Sequence, residues 1–154
     1  MAEEFHLAHE DQNPWEEDVE EPGVRWRQLI SADRTPSRGL NFGVFEVLPG
    51  AELAPHRHDP QEVYYVVTGR AEIYRDGVWE LLQRRDAAYI PGGTVHGVRN
   101  RGAETIVLVW AFPTDTYDEI EYFDAWPPPT RLGAFWRVGR SPPGGSASSK
   151  DRDG

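Results

Sequence analysis

The stretch HRHDPQEVYY, residues 56–65, places two histidines one residue apart, then Glu62, then Tyr64. A third histidine, His96, stands in IPGGTVHGVRN, where Pro91, Gly92 and Gly93 make a turn that delivers a new strand. Three imidazoles and one carboxylate suit one divalent transition metal, such as Fe, Mn, Ni, Co, Cu or Zn. Such a set, His56, His58, Glu62 and His96, leaves coordination positions open to water or substrate. One anionic ligand on a dication keeps the site net positive, so it attracts a carboxylate or enolate oxygen. The chain has no cysteine, so thiolate nucleophiles, disulfides and zinc-thiolate sites are all removed, and any metal is held by nitrogen and oxygen.

These groups meet only if strands carry them. Alternate residues of a strand share a face, so His56 and His58 point the same way. In EVYYVVT the same alternation puts Glu62, Tyr64 and Val66 on one face and Val63 and Tyr65 on the other. Further short runs rich in Val, Ile, Tyr, Phe and Trp are VRWRQLI, LNFGVFEVL, AEIYR, VWELL, AAYI, VHGVR, TIVLVWAF and EIEYF, separated by Gly, Pro, Asp and Asn. Asp76-Gly77, between AEIYR and VWELL, predicts a type I′ hairpin. The pattern is all-β, a sandwich or a barrel.

The 154 residues fit one domain. An acidic N-terminal arm covers 1–21, the β domain 22–126, and a Pro/Gly/Ser-rich extension 127–154, whose end reads as disordered. Within the extension LGAFWRV could add a strand, cover a subunit contact or anchor the tail through Phe135 and Trp136. Much of the formal charge of −10 lies in the arm, which reads as solvated, with His6 and His9 on it as surface residues. That charge opposes nucleic-acid binding. No apolar run approaches the roughly 18 residues of a membrane span, and no signal peptide is read, so a cytoplasmic location is expected.

The segment GAELAPHRHDPQEVYYVVTG resembles the first motif of the cupin superfamily, and RDAAYIPGGTVHGVRN resembles the second at Pro91, Gly93, His96 and Asn100. Arg85 stands where that family usually has glycine, at a place where a left-handed residue costs about 1–2 kcal/mol. The resemblance implies a double-stranded β-helix, or jelly roll, with a metal inside, and a dimer as the common assembly.

From Pro22 to Phe123 the chain is also similar to the small single-domain cupin lyases that cleave dimethylsulfoniopropionate (DMSP), through PGVRWRQLISAD, Glu62-x-Tyr64 and WAFPTDTYDEIEYF. The likeness implies a metal-bound substrate carboxylate, Tyr64 as the base that takes the α-proton, and Tyr122 as a second pocket tyrosine. Tyr64 reads equally as an aromatic that lines the barrel, and Tyr122 as packing beneath its mouth. A sulfonium sits well on aromatic faces, worth roughly 0.5–2 kcal/mol. Trp26, Phe42, Tyr89, Trp110 and Phe112 are the candidates for such a pocket. The fold alone does not name a reaction. A dioxygenase or isomerase on a small carboxylic acid or sugar, and a non-catalytic small-molecule binder, are the alternatives to a lyase.

Overall fold

The computed structural model describes residues 2–125 and, by backbone alone, 137–140. Short strands dominate it, as the spacing of breakers predicts. They are β1 (Glu16–Glu17), β2 (Val24–Ile30), β3 (Asn41–Val47), β4 (Glu52–Arg57), β5 (Glu62–Thr68) and β6 (Arg70–Arg75). Then follow β7 (Val78–Gln83), β8 (Ala87–Ile90), β9 (His96–Arg99), β10 (Ile106–Phe112), β11 (Tyr122–Asp124) and β12 (Arg137–Arg140). Among the described residues they form two antiparallel sheets, in the orders β1-β2-β3-β10-β5-β8 and β12-β11-β4-β9-β6-β7. From β3 to β6 and from β7 to β11 successive strands pass from one sheet to the other, which makes the double-stranded β-helix expected from the sequence.

Alternation decides what lies between the sheets. Ile106, Leu108, Trp110 and Phe112 of β10 are buried, as are Glu62, Tyr64 and Val66 of β5 and Val24 and Trp26 of β2. Ala71, Leu82 and Val98 answer them from the other sheet. Burying each large apolar side chain contributes about 1.5–3 kcal/mol.

Strand β3 turns Asn41, Gly43, Phe45 and Val47 inward, because Gly43 is the register partner of Trp110 on β10. A Cβ on Gly43 would fall 2.3 Å from the indole, so the glycine makes the space that the indole fills. Asn41 Oδ1 accepts the Trp110 Nε1–H bond at 2.9 Å. Phe42 is therefore on the other face of β3, only partly buried.

The Asp76-Gly77 turn has positive φ at both residues, 49° and 88°, and joins β6 to β7 as predicted. Arg85 takes the left-handed conformation, φ 75°, in place of the family's glycine. The turn is held all the same: Arg85 donates its N–H to Val66 at 2.9 Å, and the Asp86 carboxylate accepts the Gln83 N–H at 3.0 Å.

The arm differs from the solvated segment read from its charge. Strand β1 pairs along the edge of β2, with Glu16 opposite Trp26. The Trp15 ring stacks on the guanidinium groups of Arg25 and Arg27, at 4.4 and 4.1 Å. Glu16 bridges to Arg34 at 2.6 Å. An open sheet edge needs cover, and arginines along β2 draw an acidic segment to it. Residues 126–136 and 141–154, which include Phe135 and Trp136 of LGAFWRV, lie outside the described residues; its last two residues, Arg137 and Val138, enter β12, antiparallel to β11.

Candidate metal centre

Strand β4 carries His56 near its end, and His58 follows directly after the strand. Across the sheet, His96 opens β9 as the register partner of His56. The turn before β9 is pressed onto the loop after β4. Gly93 donates its N–H to the His58 carbonyl at 2.7 Å, and a Cβ on Gly92 would come within 2.1 Å of the Asp59 carbonyl oxygen. Only glycine fits there, and the close approach brings His58 and His96 together. Glu62 enters from β5 in the facing sheet.

The four side chains are buried, with exposures between 1% and 5%. Ligand nitrogens of His56, His58 and His96 all lie within 4.8 Å of one another. Each imidazole is held by its Nδ1, which bonds at 2.8 Å to a backbone carbonyl: Ala54 for His56, Pro60 for His58 and Thr94 for His96. A carbonyl oxygen only accepts, so Nδ1 carries the proton and the lone pair of the neutral ring is on Nε2. Carbonyls are the usual outer partners of metal-binding histidines.

Nε2 of His58 and Nε2 of His96 each lie 3.1 Å from Oε2 of Glu62. Lone pairs facing a carboxylate oxygen at this distance repel one another unless a cation sits among them. Protons on the two rings relieve the same repulsion when no metal is bound: burial pushes the Glu62 carboxyl up, but hydrogen bonds from His58 and His96 in their protonated form, and their positive charge, outweigh it and hold the group below the ordinary carboxylate range. The His56, His58 and His96 cluster thus fits a divalent metal ion by the chemistry of its donors. His6 and His9 remain exposed on the arm, apart from this cluster.

A cavity with an open mouth lies beside the histidines. Of the aromatics anticipated from sequence, Trp26, Trp110 and Phe112 line it. Phe42 and Tyr89 do not. Tyr89 pairs with Val63 on the outward face of β8 and is 68% exposed, while Ile90, opposite Glu62, takes the inward position. The four residues of AAYI alternate either way, so only the pairing with β5 chooses the face.

Tyr64 is buried in the cavity wall, its ring centroid 5.9 Å from His96 and 5.2 Å from Phe45. Burial, and after it the Glu62 carboxylate, push its phenol well above the ordinary value. Tyr122 lies 5.3 Å from the rings of both His56 and His58. Its phenol is likewise raised, first by burial and then by Tyr117 and Glu62.

The structure adds residues that sequence reasoning passed over. Phe45 shares the inward face of β3 with Gly43. Tyr117 sits on a 3-10 turn (Tyr117–Glu119) and packs 5.9 Å from Tyr122. Burial raises its phenol too. Asp18 and Glu21 of the arm and Asp124 of β11 complete the lining. Tyr117 lies within WAFPTDTYDEIEYF, where two tyrosines five apart were the available signal; nothing local in EEDVEE says that it reaches the barrel.

The family model described as "Cupin domain" matches residues 43–112. The chain is 36% identical over 99 residues to dimethylsulfoniopropionate lyase DddW of Ruegeria pomeroyi, covering 64% of this chain and 64% of that protein, a little under two thirds of its length. The polyketide cyclase RemF of Streptomyces resistomycificus superposes with a TM-score of 0.64 at 25% identity, over 71% of this chain and 80% of that one. An RmlC-like cupin from Shewanella frigidimarina superposes with a TM-score of 0.62 at 24% identity, over 77% and 98% of the two chains. No helix among the described residues is long and apolar enough to cross a membrane. With the jelly-roll topology, the histidine cluster and the family match in agreement, residues 43–112 are a cupin domain.

Proposed function

We propose that the protein is a metal-dependent carbon–sulfur lyase that cleaves DMSP to dimethyl sulfide and acrylate. The observation that carries this reading is the position of Tyr64, buried two residues from Glu62 on the same face of β5 and beside His96, in a chain 36% identical to a DMSP lyase. His56, His58, Glu62 and His96 hold one divalent ion. Such an ion supplies two things, a binding point for the substrate carboxylate and positive charge that offsets the Glu62 carboxylate beside Tyr64.

Tyr64 takes the α-proton as phenolate. The C–H electron pair becomes the Cα–Cβ double bond, the Cβ–S bond breaks, and dimethyl sulfide leaves with its pair. A sulfonium leaves as a neutral thioether, so no acid is needed to expel it. Burial alone favours the neutral phenol, and the positive charge of the loaded site is what brings phenolate within reach. Tyr122, against His56 and His58, orients the carboxylate. Trp26, Trp110 and Phe112 give aromatic faces to the sulfonium.

The outer face of one sheet supports a homodimer. Val63, Tyr65 and Val67 of β5 are 39–40% exposed and lie beside the exposed Tyr89 of β8. The location proposed is cytoplasmic, in keeping with the acidic, cysteine-free sequence.

The test is headspace dimethyl sulfide from DMSP with protein reconstituted with Mn, Fe or Ni, and His96→Ala as control. Tyr64→Phe should lower turnover about 10²- to 10⁴-fold with the metal still bound. Silence under every metal would sink the lyase reading. The likeness to a polyketide cyclase favours a second reading, an apolar-lined cupin acting on an aromatic or polyketide substrate, which tight binding of such a compound without dimethyl sulfide release would support.

A further inference from the structure

We propose that the inner face of β2 is a hydroxyl subsite, where Trp26 Nε1–H and Gln28 Oε1 together take one neutral hydroxyl of a molecule held in the cavity. The ligand that fits both ends is a hydroxy acid, with its carboxylate at the histidines.

Trp26 and Gln28 are consecutive inward positions of β2, 8% and 3% exposed. The indole Nε1–H of the first and the amide Oε1 of the second are both shut off from solvent, and neither has a hydrogen-bond partner among the described residues. A buried donor or acceptor left unpaired is costly, and most such groups in a fold find a partner. On β3 beside them Asn41 does so, accepting from Trp110 at 2.9 Å and donating to the Ser31 hydroxyl at 3.2 Å. On β2 a donor and an acceptor are left over side by side.

Their opposite roles identify the missing group. Inward neighbours on a strand stand roughly 7 Å apart, a gap that one oxygen bonded to both can bridge. A hydroxyl accepts from an N–H and donates to a carbonyl at once. A ketone fills only the first role, and a carboxylate has no proton for the Gln28 oxygen.

Both residues stand at the cavity. Trp26 lines it together with its register partner Phe45. Gln28 pairs with Gly43, over which the cavity-wall indole of Trp110 lies. In the same row Trp110 pairs with Tyr64, two residues from Glu62 on β5. The subsite is therefore three strands from the Glu62 side of the cavity, roughly 14 Å at the backbone, and the side chains that point inward from both walls shorten the span. DMSP has no hydroxyl, so the subsite goes beyond the lyase reading and shares with it only the carboxylate at the metal.

Calorimetry on the zinc-loaded protein tests this with 3-hydroxypropanoate, 5-hydroxypentanoate and 7-hydroxyheptanoate against butanoate, hexanoate and octanoate, in which methyl replaces hydroxyl. At the length that reaches β2 the hydroxy acid should bind about tenfold tighter. An apolar wall gives the reverse order, because it favours the methyl group. Trp26→Phe and Gln28→Met should each restore that reverse order. Zinc content and affinity for the methyl analogue should be kept, which also shows that each variant folds. The Trp26 indole proton, identified among six tryptophans by its loss in Trp26→Phe, should move downfield in the nitrogen-15 spectrum with the hydroxy acid and not with its methyl analogue.

Methyl analogues that bind as tightly at every length would overturn the proposal and leave water as the filler of the gap. So would an indole proton that ignores the hydroxyl. Hydroxyl preference without dimethyl sulfide release sinks only the lyase reading, whereas release without the preference sinks only the subsite.

Discussion

Oε2 of Glu62 lies 3.1 Å from Nε2 of His96, a residue that is 34 positions away in the chain and in the opposite sheet. The same oxygen is 3.1 Å from Nε2 of His58, so an anion and two ring lone pairs converge where only a cation relieves them.

Removing the metal should therefore destabilise the fold as well as silence it. A ligand present at about a hundred times its dissociation constant contributes about 2.7 kcal/mol, which for a chain of this size is a shift of about 5–10 °C. Calorimetric melting before and after chelation measures it, alongside metal content. Glu62→Gln should bind less metal and lose most of that shift. A melting temperature indifferent to chelation would speak against a metal bridging the two sheets.

Tyr64, Tyr117 and Tyr122, three of the six tyrosines, have phenols raised above their ordinary value by burial. A tyrosine whose folded pKa exceeds the unfolded value of about 10 contributes stability that is fully present below that pH. The contribution is lost as pH rises from about 10 toward the folded values. The metal-free protein should accordingly lose stability to urea above about pH 10, and these three phenols should ionise only as it unfolds. Tyr117→Phe should flatten the alkaline loss. Phenolate absorbance followed together with circular dichroism checks both; ionisation of all six tyrosines while the fold persists would contradict it.

Arg85 holds φ at 75°, where a side chain is strained. Glycine relieves that strain but has a more disordered unfolded state, so Arg85→Gly should gain about 0.5–1 kcal/mol net. Urea denaturation resolves a change of this size. Metal affinity should not move, because the turn lies away from the ligands.

Gly43 faces Trp110 with no room for a methyl group: the missing Cβ would meet the indole at 2.3 Å and the Arg27 carbonyl at 2.4 Å. Gly43→Ala should cost about 1–3 kcal/mol by overpacking. It should also tilt Trp110 in the cavity wall, so tryptophan fluorescence and ligand affinity should change while metal content stays constant.

Much of the centre was legible because strand periodicity is a local property. Glu62, Tyr64 and Val66 fall on one face, and Val63 and Tyr65 on the other, as alternation requires. Asp76-Gly77 needs only its own backbone to turn, and the histidine spacing names the donors without reference to any neighbour.

Tertiary structure alone decided the rest, where two readings of a segment were locally equal. In NFGVFEV the inward face holds Asn41 and Gly43, the less apolar choice, because Trp110 needs both the space and the oxygen they provide. In AAYI the pairing of Ile90 with Glu62 sends Tyr89 outside. The arm's acids read as a solvated run, since charge describes a residue's own hydration and not what lies beside it. The pairing of β1 with β2 and the packing of Trp15 on Arg25 and Arg27 carry Asp18 and Glu21 to the cavity. What the sequence by itself determined was the donor set and its period; which further side chains share its space was settled by contacts between residues far apart in the chain.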